Sequence, residues 1–179
     1  MNSSAVPYGY RRLTDGRLRE NVGAGLADVT DLVGQVIEHR PGRTITDTDH
    51  VLSLALTGNP APIHSDIRFC QGLGRDRVLV CGMVTLGIVL GASVRSTSGL
   101  TTANLGLDEL RLDHPVYVGD TLYAETRILT ARRSHSRPEH GIVTCRISGF
   151  NQDHTQVIRF QRTFLVPADA DAVRTATDY

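Results

Sequence analysis

The run from Gly82 to Ser98 (Gly82-Met83-Val84-Thr85-Leu86-Gly87-Ile88-Val89-Leu90-Gly91-Ala92-Ser93-Val94-Arg95-Ser96-Thr97-Ser98) is the most apolar stretch of the chain. Nearly every position from 83 to 94 is apolar or small, which leaves no polar stripe for solvent and predicts burial all round. The length suits a helix better than a strand. Gly87 and Gly91 stand one helical turn apart, so another backbone can approach closely. A helix this dry needs a sheet wrapped around it.

The C-terminal half supplies that sheet. Strands are predicted at roughly 101–112, 121–134, 140–151 and 156–166, from alternating runs such as Thr121-Leu122-Tyr123-Ala124-Glu125-Thr126 and Val157-Ile158-Arg159-Phe160-Gln161. Turn residues separate them: Pro115, Gly119-Asp120, Arg137-Pro138-Glu139-His140-Gly141 and Asn151-Gln152-Asp153-His154. Consecutive, hairpin-linked strands make an antiparallel sheet. Upstream, residues 33–46 read as an edge strand, a Pro41-Gly42 turn and a short second strand. Asp47 or Thr48 caps a helix that ends at Gly58, and Ser65 caps one or two further turns. One antiparallel sheet curled around one apolar helix is an α+β, hot-dog architecture, expected over residues 31–167. With five or six strands the sheet keeps an exposed edge, and hot-dog domains usually meet edge to edge, so a homodimer or higher homo-oligomer is expected. Residues 1–30, with Pro7, Gly9, Gly16, Gly23 and Gly25 around an Arg-rich middle, show neither period. They are read as an extension lying along the domain or mobile, or as an arm over a partner subunit. Residues 168–179 form a tail that frays or ends as a short helix.

Composition closes several routes. At 179 residues the chain can bury a core without disulfide or metal support. Its 19 basic residues balance 19 acidic ones, so no global field draws nucleic acid or an anionic membrane, and no aromatic platform accompanies a basic stripe. All the basic residues are Arg, which excludes a Lys Schiff base. Cys70, Cys81 and Cys145 are odd in number and lack metal-ligand spacing, so neither a disulfide framework nor a zinc site is expected. The start, Met1 to Tyr8, has no apolar signal core, and no run approaches membrane-spanning length. A cytosolic protein without cofactor or metal is the expectation.

The chemistry concentrates in Leu56-Thr57-Gly58-Asn59-Pro60-Ala61-Pro62-Ile63-His64-Ser65-Asp66. Gly58 permits backbone angles closed to other residues, while Pro60 and Pro62 fix φ and lack an N–H. The segment is therefore stiff yet irregular. Such a loop can hold a titrating side chain still, and the imidazole of His64 can take and return a proton near neutrality.

These residues resemble the MaoC-like, R-specific enoyl-CoA hydratases and dehydratases. The family's loop, Ser/Thr-Gly-Asp-x-Asn-Pro-Ile/Leu/Val-His, is similar to Thr57-Gly58-Asn59-Pro60-Ala61-Pro62-Ile63-His64, and its His-x-Asp continuation to His64-Ser65-Asp66. The glycine that opens its central helix is similar to Gly82 in Val80-Cys81-Gly82-Met83-Val84-Thr85. Its Pro-Val-x-x-Gly-Asp-x-Leu run is similar to Pro115-Val116-Tyr117-Val118-Gly119-Asp120-Thr121-Leu122. The order is right and the coverage runs from about 33 to 166.

The resemblance implies reversible addition of water to an enoyl thioester, carried by CoA or an acyl-carrier protein. His64 would move the proton, and the backbone N–H of Gly82, between Cys81 and Met83 at the positive end of the helix, would hold the thioester carbonyl. The departure falls at position 59, where the family places Asp. Asn59 cannot act as a base, but its carbonyl can orient water. Either His64 works alone with Asn59 as positioner, or hydration has been lost and the chain is a non-catalytic acyl-thioester-binding subunit. Asp66 orients His64 or merely caps a turn. A thioesterase is the other enzymatic alternative, though no carboxylate sits at the Gly82 end. A resemblance to a subgroup acting on itaconyl- or mesaconyl-CoA implies a cation for a second carboxylate, with Arg137 or Arg133 as candidates and Arg75 or Arg77 left for CoA phosphates.

Overall fold

Describing residues 9–179, the computed structural model begins with a small hairpin, β1 (Tyr10–Arg12) and β2 (Leu18–Glu20), then a short helix α1 (Leu26–Thr30). Strands of three residues are too short to show a period, which is why the sequence does not announce them. The turn chemistry was the available signal: Gly16 has φ 88°, and Asp15 accepts from the Arg17 backbone N–H at 3.0 Å and its Nε at 2.8 Å. Pro7 and the Met1–Tyr8 start lie outside the described residues.

β3 (Val36–Thr44) is one continuous strand where a turn between two strands was expected. Pro41 is tolerated because β3 is an edge strand whose missing N–H faces no neighbour, and the pairing shifts register between His39 and Arg43. Next comes α2 (Asp47–Thr57), capped by Thr46, whose Oγ1 accepts from Asp49 N–H at 3.2 Å. The cap is thus one or two residues earlier than expected. Gly58 ends α2 at φ 60°, the left-handed stop its lack of Cβ allows. The capping of α3 (Ile67–Gly72) also differs: Asp66, not Ser65, accepts from the Arg68 and Phe69 N–H groups.

The apolar run forms α4 (Gly82–Val94), shorter than the stretch that predicts it because Arg95 onward turns away. β4 (Ala103–Leu112), β5 (Thr121–Arg133), β6 (His140–Phe150) and β7 (Gln156–Pro167) follow, all within two residues of expectation. With β3 they make a five-stranded antiparallel sheet ordered β3-β5-β6-β7-β4. Its inward face carries Ile128, Ile147, Ile158, Phe160 and Phe164, all fully buried. Thr85, Leu86, Val89 and Ser93 of α4 lie against it. Gly149 makes that contact close, since a Cβ there would sit 2.5 Å from Val89.

α4 is not buried all round. Met83 is 60% exposed, and Gly87 and Gly91 are open to solvent. The edge strand β4 also exposes Leu105, Leu107, Leu110 and Leu112. A register shift between Asp108 and Arg111 brings both Leu107 and Leu112 opposite the inward-facing Arg162 and Ile158, although an odd spacing would place them on opposite faces of a regular strand. The tail forms α5 (Ala170–Thr177), the short helix that was one of its two expected forms.

Candidate active site

Pro62 to His64 form a single 3-10 turn between α2 and α3. The turn is held from four directions. His64 N–H donates to Ala61 O at 3.0 Å, Leu79 N–H donates to Ile63 O at 3.0 Å, and the Cys70 thiol lies 3.4 Å from that same Ile63 oxygen. From α2, the buried His50 reaches across: its Nε2 lies 2.7 Å from the carbonyl oxygen of His64. A carbonyl only accepts, so His50 donates. Nothing in the sequence flagged His50, whose only signal is an imidazole inside an otherwise ordinary helix.

The same logic fixes the ring of His64. Its Nδ1 sits 2.8 Å from Leu79 O, so Nδ1 carries a hydrogen, and in the neutral ring the lone pair falls to Nε2. The half-buried imidazole lines a cavity of about 340 Å³ together with Arg75, Gly82 and Thr85 and the segment Leu112–Val116. The cap residue Cys81 places no side-chain hydrogen bond on the first turn of α4, so the positive end of that helix is left uncapped beside His64. Gly82 is required for packing as well. A Cβ at this position would lie 2.5 Å from Leu112 Cδ1, so its absence lets β4 close the cavity wall.

The facing segment is pinned by the residues the family pattern contains. Val80 N–H donates to Val116 O at 2.9 Å, Gly119 turns at φ 94°, and Asp120 accepts from Tyr117 N–H at 2.9 Å. Asp113 and His114 enter the cavity wall here. Asp113 accepts from Gln156 Nε2 at 2.8 Å and faces Arg159 Nε at 3.6 Å, and His114 Nδ1 donates to Gln156 O at 2.8 Å. The sequence alone assigned neither of them a role.

Other expected site residues fall elsewhere. Asn59 does not line the cavity: its Oδ1 accepts from Ala61 N–H at 3.0 Å, and its Nδ2 approaches Cys81 Sγ at 3.7 Å. It joins the His64 loop to the residue before Gly82, and Cys81 is buried in that contact. Met83 points to solvent, and both capping bonds of α3 occupy Asp66. Arg137 sits in the β5–β6 turn, where its N–H donates to Ser134 Oγ. Gly141 at that end of β6 pairs with Val166, whereas Ile158, opposite Leu112, pairs with Gly149. At about 3.4 Å per residue the eight positions from 141 to 149 span roughly 27 Å, so Arg137 and its neighbour Arg133 are remote from His64. Arg77 stacks on Tyr117 at 4.0 Å. Among the described residues no group of three or more His, Cys, Asp or Glu is placed to hold a metal, and no helix is long and apolar enough to cross a membrane.

A sheet wrapped on one helix, with a histidine loop facing the helix start, defines a hot-dog domain of the hydratase and dehydratase type. The MaoC like domain model matches residues 28–149, and the chain belongs to this family. It is similar to the beta-methylmalyl-CoA dehydratase of Chloroflexus aurantiacus, 32% identical over 75% of this chain and 38% of that protein. It is also similar to the mesaconyl-CoA hydratase of Cereibacter sphaeroides, 29% identical over 83% of this chain and 43% of that protein. The chain thus spans about two fifths of the length of these relatives. Among solved structures, a Mycobacterium tuberculosis protein with a double hot-dog fold superposes with TM-score 0.75 at 25% identity, over 83% of this chain and 46% of that one.

Proposed function

We propose that this chain adds water reversibly across the 2,3 double bond of an enoyl thioester, with a short, branched or dicarboxylic acyl-CoA as substrate. The observation that carries the reading is the shared cavity of His64 and the uncapped start of α4. His64 Nε2 takes a proton from water as the water oxygen bonds to C3. The π bond breaks, and its electrons move toward C2 and the thioester carbonyl. The N–H groups opening α4 accommodate the charge on that oxygen, and the proton returned by His64 forms the new C2–H bond. Asn59 does not share this work; it secures the loop to Cys81. A homodimer is part of the proposal, with the exposed leucines of β4 and Met83 of α4 as the surface a second copy covers.

The test follows the loss of enoyl absorbance with crotonyl-, itaconyl- and mesaconyl-CoA. Turnover on at least one of them, falling by about 10³-fold in His64→Ala, is expected. Undiminished turnover in that variant removes His64 from the role, and a folded protein that binds thioesters without turning over any of them is a binding subunit instead.

A further inference from the structure

Arg75 carries the single guanidinium lining the His64 cavity, and among the described residues that guanidinium has neither a hydrogen-bond nor an ion-pair partner. Arg75 is part-buried, and Leu79, Val80, Pro115 and Val116 give the cavity an apolar wall beside it, where a charged group meets a less screened partner than in bulk water. Neighbouring arginines are committed: Arg77 to the ring of Tyr117, Arg159 to Asp113. Nor does Arg75 hang from a loose tether. Its N–H donates to Cys70 O at 2.9 Å after the Gly74 turn at φ 73°, and Cys70 is bonded in turn to Asp66 O and to the Ile63 oxygen beside His64. One framework holds both side chains.

We infer that Arg75 recognises a carboxylate at the far end of the acyl group, which makes the preferred substrate a short dicarboxylic enoyl thioester; this rests on the hydration reading above. A guanidinium offers two parallel donors to a carboxylate. About 340 Å³ is at the small end of ligand cavities and suits a short acyl group. Asp113 sharpens the choice. Its carboxylate, on the same wall, is already engaged by Gln156 and Arg159, which leaves the Arg75 guanidinium to an incoming anion. The expected cations Arg137 and Arg133 are too remote to serve.

The experiment compares kcat/KM for mesaconyl-CoA and crotonyl-CoA in the wild type, Arg75→Met and Arg75→Lys, with melting curves to confirm folding. The dicarboxylic-to-monocarboxylic ratio should fall about 100-fold in Arg75→Met and about 10-fold in Arg75→Lys, which keeps the charge but not the paired donors. An equal loss on both thioesters would assign Arg75 to their common CoA portion and overturn the inference, as would an unchanged ratio. If the wild type hydrates neither, the hydration reading fails, and calorimetric binding of two unreactive thioesters decides this one. Preference for methylsuccinyl-CoA over isovaleryl-CoA, lost in Arg75→Met, sustains it; equal binding of the two by the wild type sinks it.

Discussion

At the scale of single residues, the site separates groups that hold from groups that act. Asn59 spends its amide on Ala61 N–H and the Cys81 thiol. Asn59→Ala should therefore cost about 1 kcal/mol of stability, read by chemical denaturation, with turnover reduced less than in any His64 variant. His50 supports His64 through a backbone oxygen and touches no part of the cavity. His50→Phe should lower kcat about tenfold with little change in KM, because the imidazole it steadies moves while the acyl wall stays. Burial pushes the Cys145 thiol up to about 12, and Cys70 and Cys81 are also buried. All three should resist a thiol reagent in the native protein and react together on unfolding.

At the scale of elements, the strands and the central helix were legible because both carry strong periods over long runs. The strand order was not: β4, expected to be hairpin-linked to β5, pairs with β7 at the far edge, and β3 takes the place beside β5. β5 to β7 alternate for 11 to 13 residues, and α4 is apolar for nearly its whole length. What escaped was set by tertiary context. Whether Met83 is covered depends on what lies beside α4, and no period reports that. Arg75 reads as one of several arginines until the fold sets it on the same cavity as His64. Close contact was equally silent: Gly149 looks like a strand defect, yet Gly149→Ala drives a methyl against Val89 and Ile158 and should cost about 1–3 kcal/mol in thermal or urea unfolding. His39 on β3 bridges to helix α4's exit, with Nε2 2.8 Å from Thr126 Oγ1 and Nδ1 3.2 Å from Ser96 Oγ. Desolvation by burial lowers its pKa from 6.5, so the fold favours the neutral ring. Its contribution is whole above pH 6.5 and is lost as pH falls from there toward the depressed folded value, since the unfolded chain protonates first. Melting temperature should drop between pH 7.5 and 5.5 (values chosen to bracket about 6.5), and His39→Gln should flatten that drop.

At the scale of the whole molecule, the exposed leucines of β4 form an edge that monomeric proteins normally blunt. Replacing Leu107 or Leu110 by Arg should convert the proposed dimer to a monomer in light scattering while leaving the far-ultraviolet spectrum intact. A species that is monomeric before substitution would remove the dimer from the proposal. The first segment, expected to lie along the domain or be mobile, and the last, expected to fray or end as a short helix, are fastened to each other. The buried Arg174 donates to Gly23 O at 2.9 Å and approaches Asp28 at 3.5 Å, while Arg19 grips Asp178 at 2.7 Å. Gly25 and Ala170 press so tightly that a Cβ on the glycine would come within 2.5 Å of its neighbour. Hairpin, α1 and α5 therefore behave as a buckle, and a buckle opens on both sides at once. Protease nicks near Arg17 and near Arg174 should emerge at the same denaturant concentration, and cutting one of them should release the other.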